Sequence, residues 1–168
     1  GKRKREKGKK TTMTNESIAQ IDKANMFKLI REFPAQVAEA LKIGAQANVR
    51  MRVTGVKNIV LCGLGGSAIG GDLLKSYLAG EIKVPIVVNR HYTLPAFVGP
   101  DTLVIISSYS GNTEETNIAH REAIKRKARI LCISSNGVTE QLARKKKSPI
   151  IKVPGGLPPR AAVGYSFF

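Results

Sequence analysis

Leu103-Val104-Ile105-Ile106-Ser107-Ser108-Tyr109-Ser110-Gly111-Asn112-Thr113-Glu114-Glu115-Thr116 is the stretch on which the fold turns. Four apolar residues in a row read as a strand buried on both faces, the mark of a parallel sheet. Hydroxyl side chains and one glycine follow, and then a helical pattern from Thr113 to Lys125. A helix start carries unpaired N–H groups and the positive end of the helix dipole. Hydroxyl donors added there make an anion site, most often for a phosphate. Asn112-x-x-Glu115 has capping-box spacing, so the helix is expected to begin at Thr113, with Glu114 and Glu115 in its first turn. Those carboxylates must point away from any bound phosphate.

The same grammar recurs upstream. Ile59-Val60-Leu61-Cys62 is a second apolar run, and Gly63-Leu64-Gly65-Gly66-Ser67-Ala68-Ile69-Gly70-Gly71 follows at once. A helix over Asp72–Leu78 comes next, then strands at Val84–Val88, Leu103–Ser107, Ala128–Ile133 and Pro149–Val153, with a short helix at Val138–Lys146 before the last. Alternating strands and helices predict an open parallel sheet of five strands with helices on both faces. Right-handed crossovers bring both informative loops to the carboxyl edge, where such folds bind ligands. Thr14–Ala47 precedes this unit as a helical pair broken at Pro34, with Ile18, Ile21, Phe27, Leu29, Ile30, Phe33, Val37 and Leu41 as its apolar stripe.

Composition bounds the function. The 168 residues suit one domain, and no apolar run approaches the roughly 20 residues of a membrane span. Cys62 and Cys132 lie in apolar runs with no metal-ligand spacing and read as buried free thiols of a reducing, cytoplasmic setting. Of the formal charge of +16, a large share sits at the start, where Lys2, Arg3, Lys4, Arg5, Lys7, Lys9 and Lys10 face only Glu6. Residues 1–13 read as a solvated basic tail, and nucleic-acid contact is its minor alternative because no aromatics are interleaved. Residues 14–168 read as the single domain.

The first glycine loop also fits G-x-G-x-x-A, a dinucleotide fingerprint. Arg90, just after the second strand, would then meet a 2′-phosphate, and an NADP reading stays open. Glycines running on to Gly71, the Ser67 hydroxyl and the second phosphate-type loop point instead to a small phosphate ester. His91 can approach a site at the strand ends; His120 is expected on an exposed helix face.

Three motifs in order resemble one family. Ser108–Thr116, Gly63–Asp72 and the late Pro158-Pro159-Arg160-Ala161-Ala162-Val163-Gly164-Tyr165 are similar to the sugar isomerase (SIS) domains, in particular the first SIS domain of archaeal-type bifunctional phosphoglucose/phosphomannose isomerases. The likeness runs from about Glu16 to Phe168. It implies a three-layer, flavodoxin-like α/β/α sandwich with five parallel strands. It implies a hexose 6-phosphate ligand, interconverted between aldose and ketose with no metal or redox cofactor. The phosphate would meet Gly66, Ser67, Ser108, Ser110 and Thr113, and Arg160 would stabilise an enediolate. Family members carry two SIS domains. The proton-transferring glutamate, the ring-opening histidine and a lysine of that family belong to the second. The expected partner is therefore a second SIS half or a second copy of this chain; alternatively, the chain is a catalytically silent or regulatory sugar-phosphate-binding module.

Overall fold

The computed structural model describes residues 14–168; the basic stretch 1–13 lies outside the described residues. Three helices come first: α1 (Asn15–Ile21), α2 (Met26–Arg31) and α3 (Phe33–Gln46). The sheet unit follows as β1 (Asn58–Cys62), α4 (Gly65–Tyr77), β2 (Ile86–Asn89), β3 (Thr102–Ser107), α5 (Glu114–Lys125), β4 (Arg129–Ser134), α6 (Gly137–Lys146) and β5 (Ile150–Lys152). A 3-10 turn (Pro159–Ala161) and α7 (Gly164–Phe167) close it. The five strands run in the order β2-β1-β3-β4-β5, and every pairing is parallel. The order reverses between β1 and β3, which opens a crevice at their carboxyl ends.

Strand alternation divides the core. Val60, Cys62, Val104, Ile106, Ile130 and Cys132 face α5 and α6, packing on Ala119, Ala123 and Ala143. Leu61, Ile105, Ile133 and Ile151 face the other way, toward α3, α4 and α7, around a cleft of about 130 Å³. Cys62 and Cys132 are buried, unpaired and two strands apart, with Ile106 level between them. Burial pushes both thiols up to about 12, so neither is a nucleophile at neutral pH.

Two expectations need correction. Helix α4 begins at Gly65, not at Asp72, so the glycine run is helix rather than loop. The reason is close packing: a Cβ at Gly70 would sit 2.7 Å from the Ser166 carbonyl oxygen, and one at Gly71 would sit 2.8 Å from Leu61. Glycine's poor helix propensity yields to the need to bring α4 against α7 and β1. The N-terminal stripe is also misassigned. Ile21, Ile30 and Leu41 are exposed, while Gln36 and Ala40 are the buried residues of α3. A polar side chain marks the true buried face because it has backbone partners, described below. Thr14 caps α1, exchanging hydrogen bonds with Ser17.

Candidate functional site

The crevice is built by the two loops that leave β1 and β3. Ser107 and Ser108 complete the buried end of β3, each about 1% exposed. The Ser108 and Thr113 hydroxyls are 3.1 Å apart. Across the crevice, buried Ser67 in the first turn of α4 accepts a hydrogen bond from the Tyr109 N–H at 3.4 Å. Ser110 is exposed and accepts from the Asn112 N–H at 3.3 Å. Gly66, Ser67, Ser108, Ser110 and Thr113 therefore line one continuous rim, with the start of α4 on one side and the start of α5 on the other.

The expected capping box does not form. Thr113 is the N-cap of α5, and no side chain among the described residues caps that helix. Asn112 instead turns its Oδ1 to accept from the Val138 N–H at 3.2 Å. The first amides of α5 are thus left without a helix carbonyl or a capping side chain, which is the arrangement that favours an anion. Desolvation and the nearby Glu114 and Glu115 carboxylates raise the Tyr92 phenol above its ordinary value.

The loop is held from behind by residues that sequence reading did not single out. Gly111 has φ of +72° and Gly137 has φ of +77°, both in the left-handed region. A Cβ at Gly111 would lie 1.7 Å from the Asn136 carbonyl oxygen; one at Gly137 would lie 2.6 Å from Asn112 Oδ1. The turn after β3 and the turn before α6 are therefore interlocked. Asn117 and Thr139 fasten them. Asn117 Nδ2 donates to the Gly111 carbonyl at 3.1 Å, Thr139 Oγ1 donates to Asn117 Oδ1 at 2.8 Å, and the Thr139 N–H donates to the Gly111 carbonyl at 2.9 Å. Asn117 and Thr139 are buried polar side chains at helical positions, and only the fold reveals that they face one carbonyl.

Arg160 comes from the 3-10 turn. A Cβ at Gly66 would stand 3.0 Å from the Pro159 carbonyl oxygen and 3.8 Å from Arg160 Cα, so this turn rests directly on the first turn of α4. Arg160 is exposed and forms no ion pair among the described residues. Gln36 fixes the turn from α3: its Nε2 donates to the Ala161 carbonyl at 2.8 Å, and its Oε1 accepts from the Gly164 N–H at 2.9 Å. Tyr109 reaches the same region, accepting at its hydroxyl from the Leu157 N–H at 3.1 Å.

Other candidates fall outside this rim. Arg90 pairs with Asp72 of α4. His91 is exposed, and its carbonyl accepts from Asn89 Nδ2 at 3.0 Å. His120, expected on an exposed face, is fully buried, with Nε2 3.8 Å from Cys132 Sγ and Nδ1 unpartnered. It lies on the apolar face of α5, one turn after Thr116. Burial and the Arg121 charge hold its pKa down to about 4, so it is a neutral core residue.

Residues 53–153 match the SIS domain. The chain is 45% identical over 142 residues to the bifunctional phosphoglucose/phosphomannose isomerase of Caldicellulosiruptor bescii, covering 84% of this chain and 42% of that protein. It is 44% identical over 108 residues to the enzyme of the same description from Thermoplasma acidophilum, covering 64% and 33%. Among solved structures, the C-terminal domain of glucosamine-fructose-6-phosphate aminotransferase from Francisella tularensis superposes with a TM-score of 0.65 at 22% identity, covering 84% of this chain and 45% of that one. Vibrio vulnificus NanR complexed with ManNAc-6P superposes with a TM-score of 0.63 at 16% identity, covering 90% and 62%. The chain thus spans well under half the length of the curated relatives it matches. With its five parallel strands, its switch-point crevice and this match over most of the sheet unit, the chain belongs to the SIS domain family.

Proposed function

We propose that this chain is the sugar-phosphate-holding half of an aldose–ketose isomerase that converts glucose 6-phosphate or mannose 6-phosphate to fructose 6-phosphate. The hydroxyls of Ser67, Ser108, Ser110 and Thr113, with the amides near Gly66 and at the start of α5, grip the phosphate. Arg160 faces the sugar and stabilises the negative charge of the enediolate, because a guanidinium is always charged and can fork onto two oxygens. In the reaction a base takes the proton from C2 of the aldose and returns it to C1, and the hydroxyl and carbonyl exchange through the enediol. Atoms and electrons balance without an oxidant or reductant. Glu114 and Glu115 lie at the phosphate end, so the base is supplied by a second SIS half.

The observation that carries the reading is the convergence of three separate segments, the β1 loop, the β3 loop and the 3-10 turn, at one crevice at the switch point. A second feature supports the need for a partner. Ile69, Leu73 and Tyr77 form an exposed apolar stripe at i, i+4 and i+8 along α4, which starts at the rim.

Calorimetric titration tests the grip. The Ser110→Ala, Thr113→Ala double variant is expected to bind glucose 6-phosphate and inorganic phosphate at least tenfold more weakly, since each charge-assisted hydrogen bond contributes roughly 1.5–3 kcal/mol. Unchanged affinity for both ligands removes the phosphate grip.

A further inference from the structure

In a parallel sheet with right-handed crossovers, every strand start and every helix end lies on the edge opposite the ligand crevice. That edge is strongly basic here. Lys125, Lys127, Arg129, Lys145, Lys146 and Lys147 all belong to the ends of α5 and α6 or to the starts of the strands that follow. Strands β4 and β5 are neighbours, with Cys132 level with Ile150, so the segments that lead into them, which carry Lys127, Arg129 and Lys147, enter the sheet side by side. The Arg129 guanidinium donates to the carbonyls of Arg52, at 3.2 Å, and Thr54, at 2.7 Å, which brings Arg52 to the same place. None of these seven cations has a carboxylate within 4 Å among the described residues. The neighbouring acids are already used: Asp101 pairs with Lys57, and Glu122 pairs with Arg126.

Helix dipoles account for some of this, because cations are favoured in a last turn. They do not account for the backbone at two of the lysines. Helices α5 and α6 end in the same closure. Lys127, at φ +59°, donates to the Ile124 carbonyl and Ala128 donates to the Ala123 carbonyl; Lys147, at φ +54°, donates to the Arg144 carbonyl and Ser148 donates to the Ala143 carbonyl. This is the Schellman pattern, whose left-handed residue is ordinarily glycine. Lysine occupies that strained position twice, each time at the centre of a surface already crowded with like charge. Strain and repulsion accepted together at one surface point to a use for the charge.

We propose that this edge is a docking surface for the phosphodiester backbone of a nucleic acid, independent of the sugar-phosphate site. A polymer of regularly spaced phosphates meets several of these cations at once, whereas a single phosphate leaves most of them uncompensated. Contacts to phosphates carry no sequence information, so binding is independent of sequence. Val53 is exposed beside Arg52, and a lone aliphatic side chain is too little for a membrane-inserting face.

The test is fluorescence anisotropy of the full chain with a labelled 20-base-pair duplex and a 20-nucleotide RNA, titrated with salt. Lys127→Gly with Lys147→Gly removes two charges while relieving both left-handed lysines, so the variant holds or raises its melting temperature. Its affinity is expected to fall about tenfold at 50 mM salt, and the slope of log K against log salt to become shallower by about 2. A matched pair on the N-terminal helical region, Lys23→Ala with Lys42→Ala, changes affinity less than twofold. Three outcomes overturn the proposal. The unmodified chain fails to bind either nucleic acid; both double variants weaken binding equally, assigning it to net charge or to residues 1–13; or the glycine pair abolishes binding to phosphatidylserine vesicles and leaves nucleic-acid binding intact.

Discussion

His120 sets one pH dependence of the molecule at the scale of a single side chain. It is fully buried, and its pKa is held down to about 4 from an ordinary 6.5. The unfolded chain therefore binds a proton between those values that the folded chain refuses. Stability is fully present above about pH 6.5 and declines as pH falls toward 4. By pH 4.5 this residue alone removes about 2–3 kcal/mol of unfolding free energy. Urea denaturation at pH 7 and pH 4.5 measures the decline, and the part due to His120 disappears in His120→Gln. Its misreading from sequence has a plain cause. The helix periodicity of Ala119, His120 and Ala123 places the imidazole on the core face, but histidine's polarity argues for solvent. The tertiary environment decided, and it did so at the expense of an unpartnered Nδ1.

At the scale of elements, the strands and their order of succession were legible in the sequence because doubly buried strands are continuous apolar runs. Ile59–Cys62 and Leu103–Ser107 were placed within a residue of their observed bounds. Helix starts were less legible. Gly65–Gly71 looks like a loop to any propensity scale, and its helical state depends on the close approach of Ser166 and Leu61, both remote in sequence. The rim residues were legible as hydroxyls after strands, but the clamp behind them was not, since Asn117 and Thr139 meet only through packing of α5 on α6. Asn117→Ala tests that clamp. It removes the donor to Gly111 and strands the buried Thr139 hydroxyl, so unfolding free energy is expected to fall by about 2–3 kcal/mol in chemical denaturation. Phosphate affinity falls with it, because the β3 loop loses its support.

At the scale of the whole molecule, the described residues present three surfaces of different character: a hydroxyl-lined crevice, a basic opposite edge and an apolar stripe on α4. The stripe bears on the proposed division of labour between this chain and a second half. Leu73→Lys with Tyr77→Lys leaves the crevice intact and is expected to keep the chain's own melting temperature within a few degrees. Its affinity for a separately expressed second SIS half is expected to drop more than tenfold, read by analytical ultracentrifugation and by recovery of coupled isomerase turnover. Retained affinity places that contact elsewhere.

Gly111 and Gly137 carry a consequence for descent. Each lacks a side chain because the other's turn occupies the space, so neither position is free to vary while its counterpart stays as it is. A lineage that replaces one has already pried the two turns apart, and replacing the second then costs less than it would alone. Related chains are therefore expected to keep both glycines or to have rebuilt both turns, with the hydroxyl rim in front of them changing in step, and an alignment of such chains checks this.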